Sequence, residues 1–169
     1  MRRTVSISTL VLAASLALLT AAPLMAAENT YPATMCVVVN SMDDRHKPVY
    51  DDAGQLFNGS PSRALEVLCP VVGLFDDLSV HPNPNATPGA NVFVTDQHAT
   101  EGICCRAVLN NVGAVVSSQP SCSQGVDGQF QTVTLDPPIA GGTFTSRFFV
   151  CTIPPMDGKE MSGIRLYRY

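Results

Sequence analysis

The residues of this 169-residue chain best placed to do chemistry are its six cysteines: Cys36, Cys69, Cys104, Cys105, Cys122 and Cys151. Cysteines ligate metals, exchange electrons or cross-link the chain, and spacing separates these roles. No two stand as Cys-x-x-Cys, and His46, His81 and His98 lie far apart. Zinc sites and thioredoxin-like redox sites both need closer groupings. In an exported chain an even cysteine count reads as disulfides. Adjacent Cys104 and Cys105 face opposite ways if they lie in a strand, so they take different partners. The expected pairing joins Cys36 to Cys69, and Cys151 to Cys104 or Cys105. Cys122, read here as part of a polar loop, takes the remaining neighbour.

Other reactive groups form no constellation in the sequence. The serines sit in no Gly-x-Ser-x-Gly elbow. Paired acids occur at Asp43-Asp44, Asp51-Asp52 and Asp76-Asp77. Two carboxylates can cleave a glycosidic bond, and oxygen-rich loops can hold calcium. These pairs, however, stand in turn-rich segments without the spacing of a calcium loop, and Arg45 and Lys47 offer the first two pairs ion-pair partners. No catalytic, cofactor-binding or metal-binding residue is assigned, and no cofactor is expected. Tryptophan is absent, and the tyrosines are Tyr31, Tyr50, Tyr167 and Tyr169. Tyr167 and Tyr169 would share one face of a terminal edge strand. The sequons at Asn58 and Asn85 are weak signals, with Asn58 suiting a structural turn.

The elements that position these residues are strands. Alternation puts Leu65, Val67, Cys69 and Val71 on one face, and Phe149, Cys151 and Ile153 on another. Further strand-like runs cover 34–40, 90–96, 102–109, 113–118 and 129–135. Turn residues such as Asp52-Ala53-Gly54, Pro88-Gly89 and Gly141-Gly142 separate them. Short strands at this spacing predict an all-β fold, a β-sandwich of jelly-roll or immunoglobulin-like topology, stapled by disulfides. Cys69 and Cys151 should then form bridges within the core, each worth roughly 2–4 kcal/mol.

A leader precedes this domain. Arg2 and Arg3, an apolar run from Ile7 to Leu19, then Pro23 and the small residues Ala26 and Ala27 make a cleavable signal helix. The run falls short of the about 20 apolar residues of a membrane span. Residues 1–26 are read as signal peptide and 27–169 as one domain with no stable membrane insertion. Cleavage removes two basic residues and no acidic ones, so the domain is more acidic than the chain's net −4. No basic stripe and no interleaving of aromatic with basic residues is visible, which argues against a nucleic-acid partner.

Several segments together resemble a group of uncharacterised secreted bacterial proteins. They are Tyr50, Gly54, Leu56 and Asn58, the strand Val67-Leu68-Cys69-Pro70-Val71, and Val92-Phe93-Val94-Thr95-Asp96. Cys151-Thr152-Ile153-Pro154-Pro155 and Ser162-Gly163-Ile164-Arg165-Leu166-Tyr167 complete the order. The Cys-Pro strand and the Cys-x-x-Pro segment near the C-terminus carry the likeness, which implies export and a β-rich fold without a catalytic assignment. Two central cysteines stand where the group has one. The expectation is a protein secreted to the periplasm or the medium, with a non-catalytic binding or structural role. Its partner would be an envelope or extracellular glycan or protein. The alternative is a secreted hydrolase using acidic loop residues.

Overall fold

The computed structural model describes residues 29–40, 48–71, 90–111, 114–125, 130–136 and 146–168. The leader, Asp43, Asp44, His46, Asp76, Asp77, His81, Asn85 and Tyr169 lie outside the described residues. Twelve described strands follow in order: β1 (Thr30–Pro32), β2 (Val37–Val38), β3 (Pro48–Tyr50), β4 (Leu56–Asn58), β5 (Leu65–Val71) and β6 (Ala90–Thr95). Then come β7 (Cys104–Asn111), β8 (Ala114–Ser117), β9 (Ser121–Cys122), β10 (Phe130–Leu135), β11 (Ser146–Ile153) and β12 (Gly163–Arg168). One turn of 3-10 helix, Ala33–Met35, joins β1 to β2.

The strands form two antiparallel sheets. Sheet A runs β10-β6-β12-β4-β3, with β1 also on β12; sheet B runs β2-β5-β11-β7-β8, with β9 also on β7. Eight strands define the topology: β4, β5, β6, β7, β8, β10, β11 and β12. Counted in that order, the sheets read 1-8-3-6 and 2-7-4-5. This is a jelly roll, two interlocked Greek keys, and it resolves the choice that the sequence leaves open.

Period-two patterning builds the core. In β5, Leu65, Val67, Cys69 and Val71 are buried and the residues between them only partly so. From the facing sheet, β6 contributes Ala90, Val92 and Val94, and β12 contributes Ile164 and Tyr167. Alternation counted strictly from Ile164 would turn Tyr167 outward. The register of β12 against β6 shifts between Ile164 and Leu166, and this bulge returns Tyr167 to the inside. The expected place on a terminal edge strand is therefore corrected: β12 lies between β6 and β4, and Tyr167 is wholly buried. At the start of β12 a side chain on Gly163 would meet the Leu56 carbonyl and the Phe57 ring at 2.5 Å, so only glycine allows β4 to approach there.

All three disulfides lie in or against sheet B. Cys36 bonds Cys69, Cys105 bonds Cys151, and Cys104 bonds Cys122. The last two link directly opposed residues of neighbouring strands. The adjacent cysteines divide as the strand geometry requires: Cys105 turns into the core and Cys104 away from it. Cys122 belongs to the short strand β9 rather than to a loop, because its two residues pair with β7. Three disulfides fit an oxidising compartment.

No disulfide joins sheet A to sheet B among the described residues. The sheets are held by apolar burial and by a few polar ties that cross the core. Tyr167, from sheet A, donates its hydroxyl to the Pro70 carbonyl of sheet B at 2.6 Å. Its ring stacks on Tyr31, centroids 5.1 Å apart, and meets Phe149 edge-on at 5.7 Å. Burial first, and the neighbouring Tyr31 second, push the Tyr167 phenol up to about 12. Tyr31 is raised too, also by burial.

An acid raised in this way keeps its proton in the folded state after the unfolded chain has lost it. Its stabilising effect is complete below the unfolded value of 10.0 and is lost as pH climbs towards about 12. Denaturation midpoints measured across the alkaline range should fall over that window. In Tyr167→Phe the fall should shrink, on a baseline lowered by about 1–3 kcal/mol for the unpaired Pro70 carbonyl. An unchanged alkaline fall in the variant would contradict this role.

Candidate functional site

Two groups of polar side chains could do more than hold the fold. The first lies around Asp96, which follows β6 and is fully buried. Ser123, after β9, donates its hydroxyl to Oδ2. Ser162, before β12, donates to Oδ1 at 3.0 Å, and the His98 backbone N–H donates to the same oxygen at 3.1 Å. Each hydroxyl also accepts a backbone N–H: Ser123 from Ile103 at 2.7 Å, Ser162 from Gln97 at 2.9 Å. Three distant segments are thus tied at one carboxylate. A side chain on Gly102 would collide with the Ser123 carbonyl, so glycine at 102 lets the two loops close over the knot.

Serine, histidine and aspartate together invite a hydrolytic reading, but the geometry does not make one. A nucleophilic serine hands its proton to a base that can later release it to the leaving group. Here both hydroxyls spend their single proton on Asp96. The His98 ring turns elsewhere, its Nδ1 accepting the N–H of Glu101 at 2.9 Å and of Thr100 at 3.3 Å. A neutral imidazole held that way carries its proton on Nε2 and offers no lone pair to a serine. The buried knot acts as a joint.

Asn58, at the end of β4, is a second joint. It is fully buried, and its Nδ2 donates to the carbonyls of Arg63 at 2.8 Å, Ile153 at 3.1 Å and Pro154 at 2.8 Å. Its Oδ1 accepts the Ser60 N–H at 2.9 Å, and its own N–H donates to the Ser162 carbonyl at 3.0 Å. The turn role expected of Asn58 is present, and with it a tie from sheet A to the end of β11. Of the paired acids, Asp51 and Asp52 are exposed, and Asp51 caps its turn by accepting the N–H groups of Ala53 and Gln55. Among the described residues no three His, Cys, Asp or Glu side chains group as metal ligands.

The second group faces outward from sheet A. Phe130 of β10 stacks on Phe93 of β6 with centroids 5.4 Å apart. From β12, the Arg165 guanidinium lies 5.4 Å from the Phe130 centroid and that of Arg168 lies 5.6 Å from Phe93. Arg165 also donates from Nε to Thr95 Oγ1 at 2.7 Å. Around them, Thr132 and Thr134 are exposed, and Thr134 donates to Asn91 at 3.1 Å. Phe130 is 52% exposed, although it is an aromatic on a six-stranded sheet with an apolar core available behind it. Each cation–ring contact at such a surface contributes about 0.5–1 kcal/mol, enough to hold the side chains in a fixed array.

Sequence reading found no interleaving of aromatic and basic residues, and the fold supplies one. The four side chains come from three strands, aligned by the pairing of Phe130 with Thr95 and of Leu166 with Phe93. The chain matches no family model and no curated protein. Among solved structures it is similar to a family two carbohydrate esterase from Cellvibrio japonicus, at 13% identity and a TM-score of 0.42. The match covers 83% of this chain and 32% of that one, so the chain spans about a third of that protein's length. At that TM-score the likeness carries no argument about what this protein does.

Proposed function

We propose that residues 1–26 direct export and are removed, and that residues 27–169 act outside the cytoplasm as one non-catalytic binding domain. Its ligand-facing surface is the outer face of sheet A. The observation that carries this reading is the Phe93–Phe130 pair flanked by Arg165 and Arg168, ordered and accessible on the one sheet that no disulfide braces. Exposed aromatics and arginines are the side chains that binding surfaces favour. The disulfides support the compartment, since exported domains keep such bonds where cytosolic ones do not. The order of motifs shared with the uncharacterised secreted proteins supports the same placement.

A paired-variant experiment tests the reading. The exported protein and a Phe130→Ser/Arg165→Gln variant are compared on immobilised polygalacturonate, mannan, peptidoglycan fragments and envelope proteins. The two substitutions remove the ring stack, one cation–ring contact and the Thr95 hydrogen bond, so stability should fall by roughly 1–3 kcal/mol, and melting curves check that the variant is folded. At least one ligand should be retained by the natural protein and lost by the variant. Retention that is equal in both would remove sheet A's outer face from the account.

A further inference from the structure

We propose that the outer face of sheet A takes an acidic polysaccharide, binding its carboxylates on Arg165 and Arg168; this rests on that face being the binding surface. The array itself argues for charge over neutral sugar. A neutral pyranose binds an aromatic platform by lying on an open ring face. Here each phenylalanine has the other ring beside it and a guanidinium over it. The π faces are engaged, and a ligand meets ring edge, the positive end of the aromatic quadrupole, beside two guanidinium groups that each carry several N–H donors. The surface therefore prefers anions.

The surrounding charge points the same way. The chain as a whole carries net −4, yet strands β10, β6 and β12 contain two arginines and no carboxylate. The exposed Asp136 follows β10 beyond Thr134, so the positive charge is centred on Arg165, and such a local excess on an acidic protein draws anionic ligands over neutral ones of the same shape. Arginine also matches the planar carboxylate with a two-pronged hydrogen bond. The Nε–H of Arg165 is committed to Thr95, which fixes the plane of its terminal amino groups.

Spacing and composition select a polymer. Arg165 and Arg168 come from opposite ends of the bulged stretch of β12 and lie over different rings, so two charges of one extended chain can be met at once. Thr132, Thr134 and Asn91 lie alongside with hydroxyl and amide groups suited to sugar hydroxyls. A protein partner would want a larger apolar centre, whereas among the strongly exposed hydrophobic side chains Phe130 alone belongs to these three strands.

The test uses polygalacturonate and its fully methyl-esterified form, which share a backbone and differ in charge. Affinity of the exported protein should be at least tenfold higher for the free acid, and should fall steeply as salt screens the contact. Arg165→Gln and Arg168→Gln should each weaken binding roughly five- to tenfold, while Arg165→Lys keeps part of it. Melting curves report whether each variant is folded. Equal affinity for both polymers overturns the acidic preference and leaves the binding face standing. Acid-selective binding untouched by either glutamine variant overturns the placement on this face. Preference for a sulfated polymer overturns the carboxylate assignment, and no binding to either galacturonan overturns the proposal.

Discussion

Asn58→Asp should cost about 3–5 kcal/mol, the range for leaving a buried charge without a partner. The amide Nδ2 donates to three carbonyl oxygens, those of Arg63, Ile153 and Pro154. An aspartate is nearly the same size but, when ionised, sets a carboxylate oxygen against those three acceptors. The loss should be larger at neutral pH than in mild acid, because a protonated carboxyl can still donate once. The sign follows from linkage: the folded state disfavours the charged form, so its stability falls as pH rises. Asn58→Ala removes the same bonds without adding charge and should cost less than the aspartate at neutral pH. Urea titration of the three proteins at two pH values measures this, and an aspartate variant as stable as the natural protein would contradict the assignment of Asn58 as an inter-sheet tie.

The second large effect concerns the disulfides, and it separates them. Cys105 and Cys151 are buried at 1% and 0% exposure and close a sequence separation of 46 residues. Cys104–Cys122 closes a separation of 18, and Cys122 is exposed. Removing a native bridge from a small domain typically costs roughly 2–5 kcal/mol. Loop length alone makes the Cys105–Cys151 bridge worth about 1 kcal/mol more than Cys104–Cys122. Emptying the core of two sulfur atoms adds a packing loss that the surface bridge does not incur. The Cys105→Ala/Cys151→Ala protein should therefore melt well below the Cys104→Ala/Cys122→Ala protein. Under limited reduction of the natural protein, peptide mapping should find Cys104 and Cys122 alkylated first, since accessibility governs attack by the reducing thiol. The opposite order in either assay would contradict the burial found here.

These effects show which parts of the molecule a sequence can reveal. The long strands were legible because each keeps a strict two-residue period: β5 with Leu65, Val67, Cys69 and Val71 is the plainest case. The divergence of the adjacent cysteines was legible for the same reason, whereas which of them bonds Cys151 is decided only by how β7 pairs with β11 and β9. The strands β3, β4 and β9 span only two or three residues, too few to show a period. β12 was misread as a terminal edge strand because its neighbours β6 and β4 are far away in sequence, and nothing local in Ile164-Arg165-Leu166 announces the bulge that turns Tyr167 inward.

The candidate site was the least legible part. Phe93, Phe130, Arg165 and Arg168 are scattered over more than half of the described chain and meet only after β10, β6 and β12 are paired. A linear search for aromatic–basic interleaving could not find them. The buried Asp96 was hidden for a related reason, because the hydroxyls that satisfy it come from segments 27 and 66 residues away. The fold does not by itself choose a function, since jelly rolls serve many. The functional reading stands on the outer face of sheet A.

Backbone amide shifts, recorded while the exported domain is titrated with the panel ligand it retains best, test that reading most directly. The account predicts that perturbations centre on Phe93, Phe130, Thr132, Arg165 and Arg168, leaving the Asp96 knot and sheet B quiet. A footprint centred on Asp96, Ser123 and Ser162, or on the strands of sheet B, would contradict it.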